Sequence, residues 1–515
     1  MRFKIPLILF FILWSNTVTI LAADSRLQVA LPTLGDTDRE ILPPIAERKL
    51  GERIMREIRR DKDYLDDAPL LEYLNTFGTK LVEAHPEARG EAEFNYFFFA
   101  VRDPMLNAFA LPGGFIAAHS GLILAAQTES ELAAVIAHEI GHVAQRHIAR
   151  MLGKQSQDAL LPLAGVLLAV LASRSSPDAA AAAIMGGQGL ALQRQLNFSR
   201  DVEREADRVG LQILQEANYD TSGMIAFFGR LQTASRMFND LAPSFLLSHP
   251  LTTERIADIQ ARLGDRRYRQ RADSLDFHLV RARTRVLQAD SAQGLQDASA
   301  ILKEQTLQPD TQPAAAGYYG LALIALRQRA PERAQVLLQQ AQTLAKKPAG
   351  LTGTSGIKGT TGTAGESMLL QHLAIEIKLA AGQPAEAVRE ADAGRVRFPL
   401  SRGIALQYAD ALVAAGRVDD AIEYLRAQAQ QYRTDAKVHD WLAKAYAAKG
   451  KLALQHVALA ESYALKGDTQ PALDQLLIAR RAKDASYYDQ SVIDARERAL
   501  QALRREELDE EKKAH

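Results

Sequence analysis

The sequence lacks cysteine altogether, although it has 515 residues. Disulfide bonds and a lipid-modified N-terminal cysteine are therefore excluded, so stability must come from packing and from any metal that the chain binds. Neither sign of charge is in excess, because 62 basic residues balance 62 acidic ones, and such a chain has no overall field that attracts nucleic acid. Aromatic residues make up only 6%, whereas alanine is abundant, which favours helices. The length suggests roughly two to four domains.

Long apolar runs are scarce, and the first of them lies at the N-terminus. Arg2 and Lys4 precede or flank the start of the apolar run 5–14, and a small-residue cleavage site follows it. This order predicts a secretory signal peptide over residues 1–23 that is cleaved near Ala23. The alternative is an uncleaved anchor helix, but the run falls short of the roughly 20 apolar residues that span a bilayer.

A second apolar stretch covers residues 160–192. Its first part, 160–172, is almost wholly apolar and its second part is rich in alanine. The first part is also shorter than a membrane-spanning helix of roughly 20 residues, so we interpret the stretch as a buried helical hairpin. The alternative is an exposed apolar surface that makes peripheral contact with a membrane or a substrate.

The segment that precedes residue 130 predicts a small sheet. It contains an aromatic-rich strand over 93–102, a second strand over 106–111, and a third strand over 115–119 that follows a Pro-Gly-Gly turn. Residues 130–151 then have the apolar periodicity of a helix. The sequence therefore predicts a sheet followed by a long helix.

The C-terminal half has the pattern of a helical repeat. Gly382, Gly416 and Gly450 are spaced 34 residues apart among alanine-rich helices, a period that resembles the tetratricopeptide repeat. We predict such a repeat domain over residues 269–505, with a concave surface that docks other proteins. Within it, residues 350–365 have glycine at every third position but no proline, which favours a flexible Gly/Thr loop over a collagen helix.

The pattern HEIGH at residues 138–142 carries the strongest chemical signal. His138 and His142 are four residues apart, so on a helix both imidazoles can reach one metal ion. Glu139 is then placed beside the metal as a general base. The alternative is a pair of unrelated surface histidines. His147 comes five residues after His142, and we predict that it points away from the metal, to the surface.

A second helical pattern offers a third ligand. Catalytic zinc needs three protein ligands and one open position. Glu203 and Asp207 are again four residues apart; Glu203 can ligate zinc, and Asp207 can accept a hydrogen bond from a ligating histidine. Glu205, between them, is predicted to face away. The alternative is a solvated acidic helix face.

The sequence Phe-Ser-Arg at 198–200 and Glu-x-Glu-Ala-Asp at 203–207, downstream of HEIGH, resembles the HtpX/Oma1-type family of zinc metallopeptidases, which are gluzincins. The resemblance covers residues from about 45 to 265. It implies one zinc ion per chain, which His138, His142 and Glu203 ligate, with Glu139 as the base. The implied fold class is mainly α: a zincin-like α+β metallopeptidase domain with a small sheet over 24–268, followed by the α-helical tetratricopeptide repeat domain.

The export signal and the repeats together resemble the periplasmic members of that family. This resemblance implies a periplasmic zinc metalloendopeptidase with a chaperone-like role in the assembly and quality control of outer-membrane proteins. Its partners would be misfolded or stalled outer-membrane proteins and the barrel assembly machinery. The alternative function is a non-enzymatic, repeat-based assembly adaptor with a latent zinc site.

Three further features have open interpretations. His249 lies in a segment that is also similar to the family, and it either stabilises the oxyanion or occupies the open coordination position and keeps the enzyme latent; the alternative is a histidine that caps a helix start at Thr252 or Thr253. Arg255 is an anchor for substrate or for the fold.

The residues Asn107, Ala108 and Phe109 predict either a substrate-binding edge strand or an ordinary core strand.

Overall fold

The structure of the chain is a computed structural model. The structure describes residues 42–90, 92–153, 200–237, 249, 251–263, 271–347 and 365–514. The predicted signal peptide, the apolar stretch 160–192 and nearly all of the Gly/Thr loop lie outside the described residues. Their interpretations remain predictions.

Eight α-helices and three strands occupy the described residues before 265. They are α1 (Pro44–Arg60), α2 (Ala68–Ala84), β1 (Phe97–Val101), β2 (Ala108–Leu111), β3 (Phe115–His119), α3 (Ser120–Ala125), α4 (Glu129–Ala144), α5 (His147–Gly153), α6 (Arg200–Glu216), α7 (Ser222–Met237) and α8 (Thr253–Leu263).

The three predicted strands form one small sheet in the order β1-β3-β2. Strand β3 pairs in parallel with β1, where Phe97 lies opposite Phe115. It pairs antiparallel with β2, where Ala108 lies opposite Ala118. The chain enters β3 through a turn in which Gly113 has a positive φ of 77°, a conformation that glycine adopts without strain. Strand β2 is therefore at the edge of the sheet.

Helices cover both faces of this sheet because the strand side chains alternate between the two faces. On one face, Phe98 and Ile116 join the main hydrophobic cluster with α2 and α4. On the other, Phe99 and Ala117 pack against Ile54 and its neighbours on α1. The sheet thus fixes α4 directly beside the edge strand.

Helix α4 begins where the side chain of Thr128 accepts a hydrogen bond from the backbone of Glu131, as an N-cap should. It is buried along nearly its whole length. The predicted helix over 130–151 is wrong in one respect, because α4 ends at Ala144 and α5 starts at His147. Arg146, between them, has a positive φ of 50°, which breaks the helical path.

Helices α4 and α6 approach each other closely at two glycines. A Cβ atom on Gly141 would lie 2.9 Å from the backbone oxygen of Ala206, and one on Gly210 would lie 3.0 Å from the backbone nitrogen of His138. Side chains at either position would hold the helices apart. The glycines therefore bring the HEIGH segment within reach of the acidic residues of α6.

Twelve further α-helices follow among the described residues, and they confirm the predicted helical repeats. They are α9 (Leu275–Gln288), α10 (Ala292–Gln305), α11 (Thr311–Arg327), α12 (Pro331–Ala345), α13 (Met368–Ala380), α14 (Pro384–Arg397), α15 (Arg402–Ala414), α16 (Val418–Gln431), α17 (Ala436–Ala448), α18 (Leu452–Lys466), α19 (Thr469–Arg481) and α20 (Tyr487–Ala514).

The spaced glycines lie in the turns within helix pairs. Gly382, Gly416 and Gly450 have φ values of 67°, 75° and 71°, and each follows the first helix of a pair. A left-handed residue at this point ends one helix and lets the chain reverse. The 34-residue spacing in the sequence therefore reports the geometry of the repeat.

The early repeat helices pack on the first part of the chain. The main hydrophobic cluster has members from Leu65 to Ile377 in the sequence, so it includes described residues on both sides of the predicted boundary between residues 268 and 269. That boundary remains a prediction. Within the described part of the chain, no helix is both long and apolar enough to cross a membrane.

Candidate metal centre

Four buried side chains converge between α4 and α6. His138, His142, Glu203 and His249 each offer one ligand atom, and these atoms all lie within 4.8 Å of one another. All four side chains are at most 2% exposed. The structure thus brings together the three ligands implied by the resemblance and adds His249 to them.

The spacing of the donors fits a metal ion. The Nε2 atoms of His138 and His142 are 3.1 Å apart, and each lies 3.5 Å from a carboxylate oxygen of Glu203. Zinc–ligand bonds of about 2.0–2.1 Å in a tetrahedron place neighbouring ligand atoms about 3.3 Å apart. Two imidazoles and a carboxylate are also a donor set that zinc accepts.

Glu139 lies next to these donors but is not one of them. Its side chain is 1% exposed, and Oε1 lies 3.6 Å from Nε2 of His249. Burial raises the pKa of the Glu139 carboxyl above its usual value, although the nearby His249 and the backbone of Ala110 on β2 oppose this rise. The carboxyl therefore faces both the donor set and the edge strand.

The first histidine of α4 is held by a carboxylate that is itself held by an arginine. Nδ1 of His138 lies 3.0 Å from Oδ1 of Asp207. Arg255 donates to both oxygens of Asp207, at 2.7 and 2.8 Å, and its Nη1 lies 2.8 Å from Glu203 Oε2. Burial alone would raise the pKa of Asp207, but its bonds to Arg255 and His138 lower it.

This contact also bears on Arg255, whose role the sequence left open. Its side chain is fully buried, and its guanidinium pairs with two carboxylates of α6. In this structure Arg255 therefore anchors the fold around the site. Its partners could not be found from sequence, because Asp207 and Arg255 lie on different helices with no periodic relation.

The prediction that His147 lies at the surface is wrong. Its side chain is fully buried, and its Nδ1 lies 2.9 Å from Nδ1 of His142. The spacing rule failed because α4 ends at Ala144, so that positions 142 and 147 do not share one helix. The Nε2 atom of His147 lies 3.2 Å from Glu205 Oε2. Glu205 faces away from the donor set, as predicted, and contacts it only indirectly, because His147 lies between Glu205 and His142.

His249 lies inside the donor set. Its Nδ1 is 2.9 Å from Glu203 Oε1 and 3.4 Å from His138 Nε2. The start of α8 is capped by Thr252, whose hydroxyl accepts from the backbone of Arg255 at 3.2 Å. The alternative role of His249 as that cap is therefore not what the structure shows.

The predicted substrate strand corresponds to β2 and the residue before it. Among the described residues, β2 pairs only with β3, so one backbone edge has no strand beside it. Ala108 is fully buried, and Phe109 packs its ring against those of Phe99 and His119. The backbone oxygen of Asn107 accepts from His119 N. The strand is thus both an edge strand and part of the core.

Comparisons with known proteins match the chain to peptidases. A model of peptidase family M48 matches residues 74–263. The beta-barrel assembly-enhancing protease of Escherichia coli is 30% identical over 473 residues, which are 92% of this chain and 91% of that protein. A Vibrio cholerae protein assigned to the same type is 36% identical over 316 residues, which are 61% of this chain and 63% of that protein.

Other relatives match a smaller share of the chain. The mitochondrial metalloendopeptidase OMA1 of Arabidopsis thaliana is 30% identical over 202 residues, which are 39% of this chain and 38% of that protein. Among solved structures, the tetratricopeptide protein YrrB covers 39% of this chain with a TM-score of 0.26 and 16% identity. That likeness is too slight to carry an argument.

Proposed function

The chain belongs to peptidase family M48, and we propose that it is a zinc metalloendopeptidase. The observation that carries the proposal is the buried donor set of His138, His142 and Glu203 with the carboxyl of Glu139 beside it. A buried cluster of this composition is costly unless a metal or a proton compensates its charge. A general base for hydrolysis must lie beside the metal, which is where Glu139 lies.

In the proposed mechanism, His138, His142 and Glu203 would hold zinc, which would supply Lewis-acid activation of the scissile carbonyl and of the attacking water. Glu139 takes a proton from that water and passes it to the leaving amide nitrogen. Its burial suits this task, because a raised pKa lets one carboxyl act first as base and then as acid. Asp207 and Arg255 keep His138 in place throughout.

We propose that the substrate binds as an extended strand along the open edge of β2. A peptide there would pair with the backbone of β2. The contact of Ala110 with Glu139 supports this arrangement, because it places the edge strand directly beside the base. The scissile bond of such a peptide would lie over the donor set.

His249 has two candidate roles, of which the geometry favours the latent one. Its Nδ1 lies within 3.4 Å of donor atoms on both α4 and α6, the place that a fourth ligand would take. In this role His249 would leave the metal before substrate binds. The same contacts favour the second candidate function, a repeat-based assembly adaptor whose zinc site is latent.

The setting of the activity is proposed from the relatives. The names of the Escherichia coli and Vibrio cholerae proteins refer to beta-barrel assembly. We propose that this chain is likewise exported to the periplasm, with its signal peptide cleaved near Ala23. There it would degrade misfolded or stalled outer-membrane proteins and assist others as a chaperone, with the repeats docked on the barrel assembly machinery.

Casein degradation by the purified mature chain tests the proposal. The comparison includes Glu139→Gln, a chelator-treated sample, and Glu83→Gln as a control at an exposed glutamate of α2. We expect wild type and Glu83→Gln to cleave, and the other two samples to be inactive. If Glu139→Gln cleaves as well as wild type, Glu139 is not the base. If no sample cleaves and Glu139→Gln still supports barrel assembly, the adaptor is the better description.

A further inference from the structure

The two histidines of α4 each have a polar neighbour at Nδ1, the ring nitrogen that faces away from the donor set, but the two neighbours differ. Behind His138 lies Asp207, which Arg255 holds. Behind His142 lies His147, at 2.9 Å between the two Nδ1 atoms. The support of His138 follows the usual pattern of a metal-ligating histidine that donates to a carboxylate. The support of His142 is built from a third histidine.

The contacts of His147 continue to a carboxylate and an arginine. Nε2 of His147 lies 3.2 Å from Oε2 of Glu205, and Arg150 donates to the same oxygen at 2.7 Å. The result is a chain of four groups, from His142 through His147 and Glu205 to Arg150. His138 likewise contacts a carboxylate that an arginine holds. The difference is that the imidazole of His147 lies between His142 and its carboxylate.

The protons along this chain have one consistent arrangement. Nε2 of His142 faces the donor set, so a metal-bound His142 carries its proton on Nδ1. That N–H donates to Nδ1 of His147. Because Nδ1 of His147 accepts, the proton of its neutral ring lies on Nε2, which donates to Glu205. Every donor in the chain then meets an acceptor.

We propose that His147 is the positioning residue of His142: its Nδ1 accepts the Nδ1–H of His142 and so fixes the ring orientation and tautomer in which Nε2 binds the metal. Glu205 and Arg150 hold His147 in turn. The inference rests on the proposed metal site and adds a residue that the HEIGH pattern does not contain.

A merely structural role for His147 predicts different results. A buried ring that only fills space would contribute to the stability of the metal-free protein, and its loss would not act selectively on metal affinity. A positioning role predicts weaker metal binding that is restored by a side chain with an acceptor at the place of Nδ1. Asparagine is such a side chain, because its Oδ1 lies where Nδ1 of histidine lies.

The test is zinc affinity, measured on the full mature chain by competition with a chromophoric chelator, together with thermal unfolding of the metal-free protein. The variants are His147→Leu, His147→Asn and, as a control in the repeats, His456→Leu, which removes a histidine hydrogen bond to Gln475. We expect His147→Leu to bind zinc about 10–100-fold more weakly. His147→Asn should lose less, and His456→Leu should bind as wild type does.

The outcomes separate this inference from the proposed function. If wild type binds no zinc, the metal site itself is wrong. If wild type binds zinc and His147→Leu binds it equally well, or if both His147 variants lose affinity equally, the positioning role is refuted. Should His147→Leu fail to fold, Glu205→Ala takes its place, because it leaves His147 present but removes the carboxylate that accepts from Nε2 of His147. Unchanged zinc affinity in that variant would also refute the role.

Discussion

At the scale of single residues, the two proposed roles of His249 predict either a latent or an open site. His249 has Nδ1 beside Glu203 at 2.9 Å and Nε2 beside Glu139 at 3.6 Å. A histidine in this place either fills the coordination position that catalysis needs open or donates to the oxyanion when substrate is bound. The two roles have opposite consequences for activity.

We predict that His249→Ala raises casein cleavage several-fold, because it frees the position that a substrate carbonyl or water must take. The measurement is the initial rate at saturating zinc, with zinc content determined for each sample. An oxyanion role predicts instead a loss of about 10²–10³ in kcat with zinc retained. A fall of that size would overturn the latent role.

Sequence predicted much of the site at this scale, and the limits have a physical cause. The spacing of four residues paired His138 with His142 and Glu203 with Asp207. Such pairs can be predicted from sequence, because residues four apart lie on the same face of any helix. The grouping of Arg255 with Asp207 depends on how two separate helices pack. His147 was misplaced because the end of α4 at Ala144 was not recognised from the sequence.

At the scale of elements, the site depends on how closely α4 and α6 approach. Gly141 lies in the HEIGH segment, and its missing side chain leaves room for the backbone of Ala206. Helix propensity alone would favour alanine over glycine by about 1 kcal/mol. The packing of the two helices requires the opposite choice.

We predict that Gly141→Ala destabilises the protein by about 1–3 kcal/mol, because the new Cβ would meet backbone at 2.9 Å and force the helices apart. Zinc affinity should fall with it, since Glu203 moves away from His138. The matched control is Gly229→Ala on α7, where a Cβ meets no described atom within 4 Å. That variant should be unchanged or more stable by about 0.5–1 kcal/mol. Urea unfolding of both variants checks the contrast, and equal stability would contradict it.

The elements themselves were predicted better than their packing. The aromatic-rich segment and the Pro-Gly-Gly turn indicated the strands, and the glycine spacing indicated the repeats, because each is a local property. The order β1-β3-β2 pairs β1 with a strand that is not its neighbour in sequence. That pairing is tertiary, so the sequence did not show it.

At the scale of the whole molecule, α2 and the two residues before it connect the peptidase part to the repeats. Arg283 on α9 donates to both oxygens of Asp67 at 2.7 Å, and these side chains are 5% and 12% exposed. Glu72 on α2 accepts from Ser401 at 2.6 Å. Asp66 pairs with Lys437 on α17, but both are substantially exposed. One buried ion pair and one exposed pair thus join neighbouring residues to different repeats.

Removing either carboxylate should therefore have very different effects. Loss of one partner from a buried pair costs about 3–5 kcal/mol, whereas an exposed pair contributes at most about 1 kcal/mol. We predict that Asp67→Asn lowers the free energy of unfolding by about 3 kcal/mol at pH 7, although asparagine can still cap α2 as Asp67 does. Asp66→Asn should lower it by less than about 1 kcal/mol. Similar losses in both variants would mean that Arg283 does not fasten the repeats.

The pH dependence of this difference gives a further check on its cause. Burial alone would raise the pKa of Asp67, but Arg283 and the backbone of Leu70 outweigh burial and lower it. A carboxyl whose pKa is lowered by folding stabilises the protein above its unfolded pKa, which is about 3.9 for aspartate. This stabilisation is lost as the pH falls through the folded pKa. The gap between wild type and Asp67→Asn should therefore be constant from pH 7 to about 5 and shrink below about 4. A gap that stays the same at low pH would show that Asp67 acts through packing or capping, so that the ion pair would not be what holds the two parts together.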